Sequence, residues 1–167
     1  MISVAVIGGG ASGMAFAVAL KQKRPDIEVA VFEKNPKVLK KILVTGNGRC
    51  NILNFDAVAE NYFEACEFVR PAVEKYTPKK TEAIFRDMGL LLMSEQEGRA
   101  YPISQTAASV VCVLSSAAER AGVKVFTDTP VKSIKKSQGG FVINNDKSFN
   151  FAVIACGGAA APKQGTD

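Results

Sequence analysis

Gly8, Gly10 and Gly13 stand in the spacing G-x-G-x-x-G within "VAVIGGGASG". Between a strand and a helix, that spacing gives each glycine a task. The first allows a tight turn, the second lets a pyrophosphate reach the backbone, and the third lets helix and strand pack closely. The helix would begin at Ala11 and Ser12, where free N–H groups and the positive dipole end favour an anion. The Ser12 hydroxyl is a further donor to a phosphate oxygen. Twenty residues beyond Gly13, Glu33 closes a second apolar run, where a carboxylate grips a ribose diol and repels a 2′-phosphate. Together these residues point to the adenosine half of a dinucleotide, set against the plainer reading of a glycine turn with a surface glutamate. The motif alone does not separate a nicotinamide enzyme from a flavoprotein.

Other reactive groups are sparse. Histidine is absent, which removes Ser-His-Asp and Cys-His nucleophiles and His-ligated metals from this segment. Cys50, Cys66, Cys112 and Cys156 form no CxxC pair, which argues against a structural zinc or a dithiol. Any chemistry therefore falls to a cofactor. Cys50 lies in a basic, glycine-rich loop that could lower a thiol pKa, but a small buried residue is the favoured reading. Arg49 reads as a loop brace. Arg99 and Tyr101 could face a substrate, and burial of "AYPI" explains them equally well.

The elements that must position these residues follow from periodicity. Ile2 to Ile7 and Ile27 to Phe32 are short apolar runs that predict buried strands, joined by a helix over Ala11 to Lys23. This is a parallel crossover unit. Lys34 to Phe55 has no sustained period and reads as a long functional loop; its basic stretch "KNPKVLKK", beginning at Lys34, follows the phosphate site. Helices are predicted over Val58 to Tyr76, Thr81 to Met88 and Ala107 to Ala121, with a hairpin of Leu90 to Met93 and Arg99 to Ile103. Val123 to Phe126 gives a third strand. Then Val131 to Lys136, Phe141 to Asn144 and Ser148 to Phe151, split by "SQGG" and "NND", predict an antiparallel meander leading into a strand over Ala152 to Ala155.

That order favours FAD over NAD. A plain nicotinamide domain repeats strand-helix units, whereas a meander in place of a helical crossover is the layout of FAD domains of the glutathione reductase type. The expected fold is α/β: a Rossmann-like parallel sheet with an antiparallel β-meander crossover. Val131, opening the meander, sits where such folds contact adenine through main-chain groups, with a core valine as the alternative. Gly157 and Gly158 would let the backbone run close to the cofactor.

The loop "KKILVTGNGRCN" (Lys40 to Asn51), with "GRAYPIS" and the closing "VIACGG", resembles the BaiN/RdsA-type, aminoacetone-oxidase-like family of NAD(P)/FAD-dependent oxidoreductases. The resemblance implies an FAD-dependent redox protein with Lys40, Lys41, Gly46 and Asn51 along FAD, and NAD(P)H as a candidate electron donor. The chain departs from the family pattern twice. Lys40-Lys41 replaces Arg-Lys, losing a bidentate fork, and Cys156 replaces Thr. Family members are longer, so residues 1–167 are expected to be the N-terminal part of an FAD-binding domain, incomplete at the C-terminus. The substrate domain and the returning segment would be absent, and Ala152 to Ala155 would be an unprotected apolar edge.

Bulk properties narrow the setting. The 167 residues are 47% hydrophobic, enough for a real core, and carry a formal charge of +5 that is not grouped into a nucleic-acid-binding run. The first apolar run is short and ends in glycine, unlike a signal peptide, and no stretch approaches a membrane span. The expectation is a cytoplasmic protein acting on a small-molecule substrate, without nucleic-acid or membrane partners. Two other readings remain: a nucleotide-binding module without turnover, and an NAD-dependent dehydrogenase domain.

Overall fold

A computed structural model describes residues 1–158. The chain runs β1 (Ser3–Ile7), α1 (Ala11–Lys23), β2 (Glu28–Phe32), β3 (Leu53–Asn54), α2 (Cys66–Lys75), α3 (Pro78–Asp87), β4 (Leu92–Ser94), β5 (Arg99–Pro102), α4 (Ala107–Arg120), β6 (Lys124–Phe126), β7 (Ile134–Ser137), β8 (Gly140–Ile143), β9 (Lys147–Phe149) and β10 (Phe151–Ile154). It divides into two compact units, Met1–Leu43 with Leu114–Asp167, and Val44–Val113.

The first unit holds a four-stranded parallel sheet in the order β10-β1-β2-β6. Strands β1 and β2 are continuous apolar runs because both of their faces are covered. On one face Ala5, Ile7, Ala30 and Phe32 form a cluster with Ile143 of β8 and Phe149 of β9. By strand alternation, buried Val4, Val6, Val29 and Val31 occupy the other face. Helix α1 turns Met14, Ala17 and Val18 inward, and Lys21 closes its end by donating to the carbonyls of Pro25 at 2.7 Å and Ile27 at 3.0 Å. The meander β7-β8-β9 is antiparallel throughout, as the turn residues predict. Gly140 is required between its strands, since a Cβ there would overlap the carbonyl oxygen of Phe149. Three aromatic rings tie sheet to meander: Phe32 stacks on Phe126 at 5.4 Å and meets Phe149 edge-on at 5.7 Å.

The second unit carries a small antiparallel sheet, β3-β5-β4, together with α2 and α3. Here the structure corrects several boundaries. The single helix expected over Val58 to Tyr76 is instead a 3-10 segment, Ala59–Ala65, followed by α2, and the break lies at Phe63 with φ 42° and ψ −118°. Helix α3 starts at Pro78 rather than Thr81, because proline suits the first helical position and the Thr77 side chain accepts from the Lys80 N–H at 3.4 Å. The long loop after Glu33 contains 3-10 turns over Lys40–Gly48, interrupted at Thr45, Gly46 and Asn47, and the two-residue strand β3.

Among the described residues β10 is one edge of the parallel sheet, and it leaves Phe151 56% and Ile154 65% exposed. An apolar edge pairs readily with other chains. Phe151→Lys is expected to raise the concentration at which the chain stays monodisperse in light scattering, with unfolding free energy changed by no more than about 0.5 kcal/mol. Unchanged self-association would show that this edge is not the sticky surface.

Candidate functional site

The glycine turn sits at the carboxyl ends of the parallel strands, where open α/β sheets bind ligands. Four main-chain hydrogen bonds stitch the ends together. The Gly8 N–H donates to Phe32 O at 2.8 Å, Glu33 N–H to Phe126 O at 2.9 Å, Ala155 N–H to Ile7 O at 2.8 Å, and Leu39 N–H to Gly9 O at 2.7 Å.

Space explains three of the four glycines. Gly8 has φ 109°, and a Cβ on it would overlap the carbonyl oxygen of Ala155. A Cβ on Gly13 would overlap the carbonyl oxygen of Gly8, so this glycine sets how closely α1 lies over β1. Gly9, an unspecified position of the motif, would place its Cβ 2.6 Å from Val38 Cγ1 and 3.0 Å from Glu33 Cβ. Gly10 differs, because among the described residues a Cβ there meets nothing within 4 Å. Its φ of −78° also suits any residue. Nothing in the described chain demands glycine at this position.

Gly10 is the N-cap of α1, no side chain caps that end, and its first turn holds no acidic residue. The first-turn amides of Ala11, Ser12 and Gly13 precede the first intrahelical bond, Met14 N–H to Gly10 O at 3.0 Å. Ala11 and Ser12 are exposed. The result is an uncapped positive helix end beside a space that the described residues leave open.

Glu33 borders this turn and is 8% exposed. Its Oε2 accepts the Gly9 N–H at 2.8 Å, and its Oε1 accepts the Asn35 N–H at 2.8 Å and the Asn35 Nδ2 at 2.6 Å. The carboxylate therefore shapes the turn as well as facing it. Sequence reasoning missed Gly9, Asn35, Val38 and Leu39 as parts of this arrangement. The run of three glycines was a visible signal for Gly9, whereas Val38 and Leu39 lay in an aperiodic loop.

The other expected residues are distributed as follows. Lys34 and Lys40 are exposed and Lys41 is half-buried. Val131 packs its side chain against the Phe32 cluster, as a core valine does, and among the described residues nothing hydrogen-bonds to its N–H or C=O. Gly157, with φ 79°, and Gly158 follow β10 and are exposed. Gly46 and Asn51 lie in the second unit. Gly46 has φ 54°, and a Cβ on it would come 2.7 Å from Asn51 N, so packing accounts for this glycine. Asn51 is exposed.

Arg49 is a brace. Its Nη1 reaches Glu95 at 2.8 and 3.1 Å and Gln105 at 3.0 Å, and its guanidinium lies 4.0 Å from the Tyr101 ring centroid. Cys50 is buried, and burial pushes its thiol above the ordinary value, opposed by a hydrogen bond with Thr45. That environment disfavours a thiolate and fits the structural reading. Among the described residues no group of three His, Cys, Asp or Glu side chains is placed to hold a metal ion, and no helix is long and apolar enough to cross a membrane.

Comparison with known proteins places this geometry. Residues 2–167 match the HI0933-like protein Rossmann domain. The chain belongs to this HI0933-like family. Among its curated relatives is a 3-dehydro-bile acid delta(4,6)-reductase of Clostridium scindens, 37% identical over 171 residues, covering 100% of this chain and 42% of the reductase. A ribosomal RNA dihydrouridine synthase of Haemophilus influenzae is 25% identical over 174 residues, covering 96% of this chain and 41% of that protein. The chain thus spans about two-fifths of the length of these relatives. Among solved structures, CtdE in complex with FAD and a substrate shares the fold with a TM-score of 0.51 at 16% identity, covering 93% of this chain and 37% of CtdE. The HI0933-like family thus accounts for the Rossmann-like parallel sheet.

Two glycine variants separate packing from ligand space. Gly13→Ala is expected to lower the unfolding free energy in urea by roughly 1–3 kcal/mol, because its overlap is with main chain that must shift. Gly10→Ala is expected to cost less, no more than about 1 kcal/mol, because only the N-cap preference for glycine over alanine is lost. Equal losses at both positions would contradict the open space at Gly10.

Proposed function

We propose that this chain is the N-terminal, FAD-binding part of an oxidoreductase. The observation that carries the reading is Gly10: a glycine unexplained by packing, at an uncapped helix N-terminus, beside the buried carboxylate of Glu33. A phosphate group needs this combination of close backbone approach, free amides and a positive dipole end. The meander between β6 and β10 favours FAD over NAD, and the FAD-bound CtdE shares the fold.

In this reading the amides of Ala11, Ser12 and Gly13 bind the pyrophosphate, with the Ser12 hydroxyl as a further donor. Gly8 and Gly13 hold the turn in shape. Glu33 accepts from the adenosine ribose while keeping its bond to Gly9, and its charge disfavours a 2′-phosphate. Val131 meets adenine through its main chain. Lys34, Lys40, Lys41, Gly157 and Gly158 serve the rest of the cofactor. Bound FAD would supply hydride transfer to or from NAD(P)H or a small organic substrate. The 37% identical reductase favours such a substrate over the ribosomal RNA of the 25% identical synthase. Free cysteines at positions 50, 66, 112 and 156 suit the reducing cytoplasm.

Titrating the purified chain with FAD, followed by flavin fluorescence, tests the reading. The wild type is expected to bind saturably. Glu33→Ala should weaken binding by about 1.5–3 kcal/mol, the scale of hydrogen bonds to a charged group. Gly10→Ala should weaken it while costing less thermal stability than Gly13→Ala. Affinities equal to the wild type in both variants would remove the assigned roles.

A further inference from the structure

One side chain holds the strip of backbone that opens the meander. Asn144 Oδ1 accepts the N–H groups of Lys132 at 2.7 Å and Ser133 at 3.3 Å, while its Nδ2 donates to the Pro130 carbonyl at 2.9 Å. Two donors can meet only the amide oxygen and a carbonyl only the amide nitrogen, so these partners fix which way the amide faces. Asn144 lies in the turn between β8 and β9 with φ 53°, and its own N–H donates to Ser133 O at 2.9 Å. The turn and the strip are therefore bound to each other at both main chain and side chain.

This clamp has a directional consequence. No described peptide bond is cis. In a trans peptide, the carbonyl of one residue and the N–H of the next point in opposite directions. The Pro130 carbonyl points to Asn144, so the Val131 N–H points away from it. The Lys132 N–H points to Asn144, so the Val131 carbonyl also points away. Val131 thus offers one donor and one acceptor on the edge opposite Asn144, and among the described residues neither has a hydrogen-bond partner. Its side chain is occupied by packing against the Phe32 cluster.

We propose that Asn144 is a positioning residue for nucleobase selection, holding the Val131 donor and acceptor in register with the N1 acceptor and the N6 donor of adenine. The inference rests on the FAD-binding reading above. Hypoxanthine reverses both groups, with a carbonyl at C6 and a proton on N1, so a fixed edge rejects it and a loosened one does not.

The test is calorimetric titration of the full chain with ADP and with IDP. The wild type is expected to prefer ADP by roughly tenfold, the scale of a lost hydrogen bond. Asn144→Ala should bind ADP more weakly and bring the two affinities to within about twofold, with cooperative thermal unfolding recorded on the same sample. Asn144→Asp keeps the acceptor for Lys132 and Ser133 but loses the donor to Pro130, and should show an intermediate preference. It decides the matter if the alanine variant does not fold. A folded alanine variant, or failing that the aspartate variant, with the full wild-type preference overturns the role of Asn144 and leaves the FAD reading standing. A wild type that binds ADP and IDP equally overturns the edge at Val131, and one that binds neither overturns both readings.

Discussion

The hydrogen bond from the Gly9 N–H to the buried carboxylate of Glu33 fixes the one turn on which the rest of the site depends. It joins the end of β1 to the end of β2 through a charged acceptor, which makes it stronger than the neutral main-chain bonds around it. Asn35 holds the other carboxylate oxygen from both its main chain and its side chain. With Glu33 oriented in this way, Gly9 has no room for a side chain, and its carbonyl is left to receive the Leu39 N–H. The same residue that would grip a ribose therefore also builds the turn that would hold the phosphates. Its two duties share a single geometry.

Around that turn, the sheet separates packing from binding. Buried valines occupy one face of β1 and β2, and the aromatic cluster of Phe32, Phe126 and Phe149 ties the meander to the other. The strand ends stay rigid because both faces are filled, so the amides at the start of α1 are held in place before any ligand arrives. Such preorganisation lowers the ordering cost of binding. In the proposed FAD reading the meander would contribute in the same way, since Asn144 clamps the strip on either side of Val131.

Much of this was legible in the sequence. The β1-α1-β2 unit follows from two short apolar runs, a glycine turn and an alanine-rich helix ending before Pro25, and the meander follows from its turn residues. The break at Phe63 was not legible, because a positive φ at phenylalanine runs against residue preference and the surrounding sequence favours helix. Strand β3 is too short to show a period. Helix α3 did carry its signal, a threonine before proline, and the periodic reading began a few residues too late. In the candidate site, residue types pointed to Gly8, Gly10, Gly13 and Glu33 as parts of one turn. Asn35, Val38, Leu39 and Asn144 act through contacts distant in sequence or through loop geometry, which spacing does not encode.

In the proposed reading, the uncapped start of α1 and the edge at Val131 hold the adenosine diphosphate half of a dinucleotide. Amide-resolved NMR of the chain titrated with ADP tests it most directly. Saturable shifts are expected, largest at the amides of Ala11, Ser12, Gly13 and Val131. Saturable binding whose shifts fall instead within Val44–Val113, with the start of α1 unmoved, would contradict it.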